Sequence, residues 1–201
     1  MLRIIGKIPH KVTIACSGGI DSMVVSHFLT RGKRDVSLAY FDHDTIHSKE
    51  ALSFVENYAF QHSLNLVIGK IKGFKGKRSL EEFWRDERYA FFNRLRSNFI
   101  ITCHHLDDCV ETWLMSSFHG NGKVIPYKRD PNIYRPFLLT DKKSILSYAE
   151  NHSIPWTEDP SNQHTNHMRN HIRHNVIPAV LKVNPGIRKT IRKKLLELYV
   201  K

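Results

Sequence analysis

The chain has 201 residues, of which 41% are hydrophobic, and its formal net charge is +12 at pH 7. A chain of this length suits one domain, or one domain with a small appendage. It contains no apolar run near the roughly 20 residues of a membrane helix, and its N-terminus lacks the apolar core of a signal peptide, so we expect a cytoplasmic protein.

The positive charge indicates a kind of partner rather than a fold. Lys and Arg number 31 against 19 Asp and Glu, an excess that favours a polyanion, with nucleic acid as the leading candidate. A surface charged only for solubility is the alternative. The three cysteines form no Cys-x-x-Cys pair, and the 13 histidines show no metal-binding spacing. We therefore expect no disulfide framework, no cysteine-based metal centre, and histidines mostly at the surface.

Short β-rich runs alternate with helical patterns in the first half of the chain. Strands are predicted at residues 11–15, 36–41, 65–71 and 99–102, and helices at residues 22–30, 48–61 and 80–95. This alternation predicts a doubly wound α/β fold, in which right-handed crossovers cover both faces of a parallel sheet. In such a fold, ligands bind beyond the carboxyl ends of the strands.

The first predicted strand leads into a glycine turn, and a helical pattern follows directly. The turn consists of Cys16, Ser17, Gly18, Gly19, Ile20, Asp21 and Ser22. Adjacent glycines let a phosphate approach the backbone, and the first amides of the helix attract an anion. Because Asp21 is itself an anion, a phosphate beside it needs a bridging cation, so the turn predicts a nucleotide with Mg²⁺. The alternative is an ordinary turn in which Ser17 caps the helix.

Polar residues also follow the second and fourth predicted strands. Asp42 ends the second strand, and the fourth is followed by His104, His105, Asp107, Asp108 and Glu111. On a helix, either Asp107 or Asp108 shares a face with Glu111. Close to a phosphate site, these carboxylates suit a role in holding Mg²⁺ or polarising a nucleophile. Taken alone, such a cluster is more often a capped, solvated helix start, and it is the glycine turn on a neighbouring strand that favours the functional interpretation.

The third predicted helix begins with Ser79 and Glu82, which have the spacing of a capping box. Its expected buried stripe consists of Phe83, Trp84, Phe91 and Leu95. Arg85 and Arg88 share another face of this helix. They would serve a phosphate or carboxylate of a ligand, or only the neighbouring glutamates.

The pattern changes beyond residue 120. Residues 121–140 contain Gly122, Pro126, Pro131 and Pro136 and are predicted to form a loop without regular structure. A helix is predicted at residues 142–151 with Asp141 as its cap. The Glu-Asp-Pro-Ser-Asn turn at residues 158–162 precedes Arg169 and Arg173, which are either solvated or placed to neutralise a phosphate leaving group. Basic residues then dominate the tail from Arg188 to Lys201.

Taken in order, these segments resemble the tRNA(Ile)-lysidine synthetases of the PP-loop ATP pyrophosphatase superfamily. The resemblance runs from Lys11 to Pro178 and rests on the glycine turn, Asp42-His43, the residues 79–89, the residues 104–112, and the residues 158–173. It implies a single Rossmann-like PP-loop domain over residues 1–201, in which residues 141–201 form a basic helical extension. It also implies a short form without the C-terminal domains of many members.

The resemblance implies that the protein adenylates the wobble cytidine of an isoleucine tRNA with ATP and Mg²⁺, and that L-lysine then displaces AMP. It assigns the turn residues 16–22, with Asp42, His104 and His105, to ATP, and Asp21 to the metal. It further implies catalytic roles for Asp21, Asp108, Glu111 and Arg173, and substrate contacts for Arg85, Arg88, Asp107 and Arg169.

Two other functions fit parts of the pattern. A PP-loop enzyme of base thiolation also adenylates a base oxygen, but such enzymes carry paired cysteines, and here only Cys103 and Cys109 lie near the aspartates. A non-catalytic RNA-binding relative is the second alternative, and Asp21 within a phosphate turn weighs against it. The sequence also departs from the family at Asp44, where glycine is usual after Asp-His, and at Cys109, where glutamine is usual.

Overall fold

The computed structural model describes residues 1–158 and 168–200 of the chain. Its first half contains β1 (Lys11–Ala15), α1 (Ile20–Arg31), β2 (Asp35–Asp42), α2 (Ile46–Gln61), β3 (Asn65–Lys70), α3 (Leu80–Arg94), β4 (Ile100–Thr102) and α4 (Leu106–Phe118). The four predicted strands and the first three predicted helices are confirmed, and none of their ends is displaced by more than two residues.

The segment 121–140 differs from the predicted loop because it adds two short strands to the sheet. These are β5 (Lys128–Arg129) and β6 (Ile133–Tyr134), which pair antiparallel. β6 also pairs in parallel with β4, where Ile100 lies opposite the fully buried Ile133. A strand of two residues is too short to show an alternating pattern in the sequence. The positions of β5 and β6 are set instead by β6 pairing with the backbone of β4.

The sheet has the strand order β3-β2-β1-β4-β6-β5. The chain runs from β1 outward to β3 and then returns to the other side of β1 as β4. All neighbouring pairs except β5 with β6 are parallel. The predicted doubly wound fold is thus confirmed, and the turns after β1 and β4 meet at the switch point on the carboxyl edge of the sheet.

The two faces of the sheet bury alternate residues of each strand. On one face, Leu38 and Tyr40 of β2 pack in a core with residues from α1, α2 and the helix at residues 142–151. On the other face, Phe41 packs with Phe91 and Phe92 of α3. Phe83 and Phe91 of the stripe predicted for α3 are buried, whereas Trp84 and Leu95 are only half-buried. Phe92 is buried as well, although it was not part of the predicted stripe.

The C-terminal part is helical. α5 (Lys142–Asn151) begins at the predicted cap, where Asp141 Oδ1 accepts a hydrogen bond from the Ser144 backbone N–H at 2.8 Å. The described chain resumes with α6 (Met168–His171), continues through a π-helical segment (Ile172–Val176) into α7 (Ile177–Val183), and ends with α8 (Ile187–Tyr199). None of the helices in the two described segments is long and apolar enough to cross a membrane.

Helix α8 is not a free basic tail. Ile187, Ile191 and Leu195 are buried in a core that includes Val110 and Leu114 of α4. Removing residues 188–201 would therefore delete part of this core together with the charge. Point substitutions on the exposed face of α8 are the appropriate test of its role.

Candidate active site

The glycine turn after β1 has the form of an anion site. Gly18 adopts φ +81°, and a Cβ at that position would lie 3.3 Å from Val55 Cγ2, so a side chain there would be strained. Gly19 is the N-cap residue of α1, and no side chain in the described chain caps it. The interpretation of Ser17 as a helix cap is therefore wrong. The amides of Ile20 and Asp21 begin the helix, where backbone N–H groups have no carbonyl of their own helix to bind.

Ser22 stabilises this turn from inside. Its hydroxyl donates to the Gly19 carbonyl at 2.8 Å and accepts from the Ser17 backbone N–H at 3.2 Å. The thiol of Cys16 lies 3.7 Å from the same hydroxyl and is buried. The two ends of the turn are therefore bonded to each other, which fixes the concave backbone without occupying its first helical amides.

Asp21 is accompanied by a cation that the sequence pattern did not reveal. Its Oδ1 accepts a hydrogen bond from Lys142 Nζ at 2.6 Å, and His105 Nε2 lies 3.6 Å from the same oxygen. The side chain of Asp21 is 33% exposed. Lys142 is the first residue of α5, 121 positions along the chain. The sequence shows only that a basic residue begins this helix, and nothing in it points to a contact between Lys142 and Asp21.

His105 lies between the turn and the start of α4. Its imidazole is buried, and Nε2 is 3.6 Å from both Asp21 Oδ1 and Asp108 Oδ2. Its backbone N–H donates to Asp108 Oδ2 at 2.8 Å. Burial opposes ionisation of Asp108, yet His105 and Arg173 hold the pKa of this carboxyl below its usual range. The expectation of surface histidines is thus wrong for His105, which links the carboxylates of two strand ends.

Glu111 and Arg173 form a bidentate ion pair beside Asp108. Arg173 Nε and Nη2 donate to Glu111 Oε1 and Oε2 at 2.6 and 3.0 Å, and Arg173 Nη2 lies 3.7 Å from Asp108 Oδ1. The structure therefore decides that Asp108, rather than Asp107, shares a cluster with Glu111. Burial raises the pKa of Glu111, and Arg173 opposes that rise.

Asp107, which the resemblance assigned to a substrate contact, binds two donors of the protein. Its Oδ2 accepts from the Lys142 backbone N–H at 2.8 Å, and its Oδ1 accepts from Arg188 Nε at 2.7 Å. These hydrogen bonds join α4 to α5 and α8, so we assign Asp107 a positioning role. The side chain of Asp42 is buried at the end of β2, where its Oδ1 accepts from Ser48 Oγ at 2.6 Å and from the Asp44 backbone N–H at 2.8 Å.

A cleft of about 460 Å³ opens beside this cluster and is rich in arginine. The predicted residues Arg85, Arg88, Arg169 and His104 line it together with His43, Glu81, Trp84, Tyr89, Thr112, Val124, Ile125, Pro126, Arg129 and Arg135. Burial lowers the pKa of Arg88, and repulsion from Arg85 and Arg169 adds to this effect. Burial also lowers the pKa of His104 to about 3, so its ring is neutral at pH 7. Five guanidinium groups around one cleft make it a site for an anion.

Two of these arginines, Arg129 and Arg135, were missed in the sequence because they lie in the segment expected to be a loop. The Arg129 guanidinium stacks 3.7 Å from the centre of the Tyr89 ring. Arg135 donates to the Pro126 carbonyl at 2.7 Å and to the Tyr89 hydroxyl at 3.2 Å. In the described part of the chain, Arg135 Nε and Thr112 Oγ1 are buried without a hydrogen-bond partner.

The cleft and the glycine turn lie on two sides of one helix start. His104 faces the cleft, whereas the next residue, His105, faces Asp21. Arg169 lines the cleft, and Arg173, one turn later, binds Glu111. Of the motif at residues 158–162, residues 159–162 lie outside the described residues.

The cysteines give no support to sulfur chemistry. Burial raises the pKa of Cys103 well above its ordinary value and raises that of Cys109 to about 12. Both thiols are therefore protonated at pH 7, whereas the nucleophile in sulfur transfer is a thiolate.

The residues at the turn fit a metal that arrives with a nucleotide. In the described segments, no group of three or more His, Cys, Asp or Glu side chains is arranged to hold a metal ion. Mg²⁺ commonly binds through one or two carboxylates together with substrate phosphates. Asp21, at the first turn of α1, is the carboxylate placed for this role.

The parallel sheet, its switch point and the glycine turn define a doubly wound α/β protein of the nucleotide-binding class. The chain matches the PP-loop domain family over residues 3–180. It belongs to that family, and its resemblance to the tRNA(Ile)-lysidine synthetases is confirmed by two relatives. The tRNA(Ile)-lysidine synthase of Persephonella marina is 35% identical over 88% of this chain and 43% of its own length. That of Thermosipho africanus is 34% identical over 87% of this chain and 45% of its own length.

The chain thus spans less than half the length of these curated relatives. Among solved structures, the NH3-dependent NAD synthetase of Campylobacter jejuni superposes with a TM-score of 0.53. The match covers 95% of this chain and 86% of that one at 15% identity. This likeness shows a shared fold.

Replacing Arg173 with Met is expected to destabilise the protein more at pH 7 than at pH 4.5. Glu111 would lose the partner that opposes the rise of its pKa, so its pKa would rise further above the ordinary 4.5. A carboxyl whose pKa is higher in the folded state stabilises the protein below its unfolded-state pKa, and that stability is lost as the pH rises through its folded-state pKa. We expect a loss of about 2 kcal/mol at pH 7, since Arg173 is partly exposed, and little loss at pH 4.5.

Thermal unfolding at the two pH values measures this difference. The matched control is the double variant Arg173→Met with Glu111→Gln, in which the carboxylate bound by Arg173 is absent. Relative to Glu111→Gln alone, its pH-dependent loss should be much smaller, because only the longer contact of Arg173 with Asp108, at 3.7 Å, is then removed. An equal loss for Arg173→Met at both pH values would contradict the prediction.

Proposed function

We propose that this protein is an ATP-dependent tRNA-modifying enzyme that adenylates the wobble cytidine of an isoleucine tRNA and joins lysine to it. The observation that carries the proposal is the meeting of three parts at one sheet edge. The phosphate turn with Asp21, the carboxylate–arginine cluster at Asp108 and Glu111, and the arginine cleft all border the start of α4.

In the first step, a cytidine oxygen attacks the α-phosphate of ATP, and pyrophosphate leaves. The amides of Ile20 and Asp21 and the hydroxyl of Ser17 supply donors for phosphate oxygens. Asp21 would hold a Mg²⁺ ion that arrives with ATP, and that ion would supply charge neutralisation for the pyrophosphate. These contacts stabilise charge that develops in the transition state, which is the main requirement of phosphoryl and nucleotidyl transfer.

In the second step, the lysine side-chain amine attacks the activated base carbon, and AMP leaves with the oxygen. An ammonium ion is not a nucleophile, so the amine must first lose a proton. Glu111 suits the acceptor role because burial raises its pKa, whereas Asp108 stays ionised and suits the binding of the incoming ammonium. Arg173 holds the Glu111 carboxylate and thereby fixes its direction.

The arginine cleft is the proposed position of the RNA next to the target base. A base in the anticodon loop must leave its stack to reach a buried site. Trp84 and the Tyr89–Arg129 stack provide flat surfaces in the cleft, and Arg85, Arg88 and Arg169 provide charge for the flanking phosphates. The proposal thus includes the substrate contacts that the resemblance implies for these three arginines.

The proposal is tested by incubating the protein with ATP, Mg²⁺, radiolabelled lysine and isoleucine tRNA that has a wobble cytidine. We expect AMP, pyrophosphate and labelled RNA in equal amounts, and no label in the same tRNA with a wobble uridine. AMP formation that depends on a sulfur donor rather than on lysine, with no label in the RNA, would favour base thiolation. RNA binding without AMP would favour the non-catalytic relative.

Exposed lysines on α8 are expected to contribute to RNA binding. Lys189 and Lys194 are exposed, and neither belongs to the buried core. Replacing both with Ala should reduce the slope of log affinity against log salt by about one to two, since each lost phosphate contact removes nearly one counterion. Filter binding over a salt series measures the slope. The control replaces Lys7 and Lys11 with Ala, before and at the start of β1, and an equal change in both variants would refute a role for α8.

A further inference from the structure

The Lys142 side chain forms a short ion pair with Asp21 at the glycine turn, and the proposed function gives this lysine no role. Its ammonium lies 2.6 Å from Asp21 Oδ1, and the two side chains are 36% and 33% exposed. The pair therefore lies at the mouth of the glycine turn, where solvent and a ligand can reach it. Asp21 is the second residue of α1, so the ammonium also lies close to the first amides of that helix.

The glycine turn supplies no cation of its own. Residues 16–22 contain neither Lys nor Arg. Backbone amides and hydroxyls alone leave much of the charge of a triphosphate unbalanced, and phosphate-binding turns elsewhere use a lysine ammonium for this purpose. In this protein, the ammonium that reaches the turn comes from α5.

The backbone at Lys142 is fixed by several elements. Its N–H donates to Asp107 Oδ2 of α4 at 2.8 Å. The preceding residue, Asp141, caps α5 through Ser144 and accepts from Arg192 Nη2 of α8 at 3.3 Å. The backbone is thus held in place, while the long side chain is free to exchange one anionic partner for another.

We propose that Lys142 is the phosphate-binding lysine of this turn, supplied by α5, and that Asp21 holds its ammonium until a nucleoside triphosphate enters. The triphosphate oxygens then compete with Asp21 for the ammonium. This inference rests on the proposed function for the identity of the ligand. It adds a residue that contacts the nucleotide phosphates, and it makes Asp21 and Lys142 an ion pair that the nucleotide opens.

A simpler role for Lys142 is that of a permanent counterion of Asp21. The two roles predict different binding. A permanent counterion contributes to stability but not to triphosphate affinity, and its removal would leave Asp21 more available to a cation. A phosphate-binding lysine contributes to triphosphate affinity but not to adenosine affinity.

Calorimetric titration separates the two roles. We compare the wild type with Lys142→Met, Lys142→Arg and the matched control Lys143→Met, which alters the exposed neighbour. The ligands are α,β-methylene-ATP with Mg²⁺, whose bridging carbon blocks cleavage to AMP, and adenosine. Lys142→Met should bind the triphosphate about tenfold more weakly or worse, as expected for the loss of one charge-assisted hydrogen bond. Lys142→Arg should stay within about threefold of the wild type, because it keeps a charged donor of similar reach.

Equal or tighter triphosphate binding by Lys142→Met would overturn the inference, and so would an equal loss of adenosine binding. Thermal unfolding checks the fold of each variant, and if Lys142→Met does not fold, Lys142→Gln takes its place in the same comparison. The outcome is separate from that of the proposed function. A wild type that binds the triphosphate through Lys142 without labelling RNA would support this inference and refute lysine transfer to tRNA.

Discussion

Replacing Asp21 with Asn is expected to lower the rate of AMP formation about 100-fold or more, a loss of about 2.7 kcal/mol in transition-state stabilisation. The amide keeps the shape of the side chain but removes the negative charge that would hold Mg²⁺. The ion pair with Lys142 is one-third exposed, so its loss should change stability by at most about 1 kcal/mol. Initial rates of AMP release and thermal unfolding measure the two effects.

The control for this variant is Asp35→Asn. Asp35 begins β2 at the amino ends of the parallel strands, away from the glycine turn, and its carboxylate forms a long surface ion pair with Lys11, at 4.0 Å. It should behave like the wild type in both measurements. Full activity of Asp21→Asn would remove the metal role from the proposal, whereas a loss of folding would mean that the Lys142 pair is structural.

Replacing Glu111 with Gln is expected to separate the two steps of the reaction. Lysine transfer should fall about 100-fold to 1,000-fold, because an amide cannot accept the proton of the lysine amine. Base adenylation should fall much less, because the glycine turn, Asp21 and Lys142 remain unchanged. The expected result is adenylated RNA that accumulates while little labelled lysine enters the RNA.

Rapid-quench measurements with labelled ATP and labelled lysine in parallel follow the two steps. Glu150→Gln serves as the control, since Glu150 is exposed on α5 and charge loss there should affect neither step. Raising the pH towards the ordinary lysine pKa of about 10.4 should partly restore lysine transfer by the Gln variant, because a larger share of the free amine is then neutral. If both steps slow equally in Glu111→Gln, Glu111 shapes the site as a whole and is not the proton acceptor.

The sequence predicted the parts of the fold that depend on local patterns. The runs of β-branched and apolar residues located β1 to β4, and the cap at Asp141 located the start of α5. Each of these signals lies within a few consecutive residues. The two-residue strands β5 and β6 carry no such signal, because the free edge of β4 determines where they pair.

The residues of the candidate site were likewise predicted only in part. The glycine turn, Asp108, Glu111 and Arg173 were identified, but Lys142, Arg129 and Arg135 were not. The missed residues have no motif around them, and each reaches its partner from a distant part of the chain. Asp107 and Asp42 were correctly placed at strand ends, yet their hydrogen bonds to the protein were not visible in the sequence.

The sequence by itself determined the alternation of strands and helices, the glycine turn and the excess of positive charge, since each follows from residue types and short spacings. Only the tertiary structure decided which charges meet. Lys142 reaches Asp21 across 121 positions, and Arg173 reaches Glu111 across 62. A pair so far apart leaves no periodic trace in the sequence. Its contact arises because the parallel sheet brings the ends of β1 and β4 to one edge, and the packing of α5 and of the π-helical segment against that edge selects the partners.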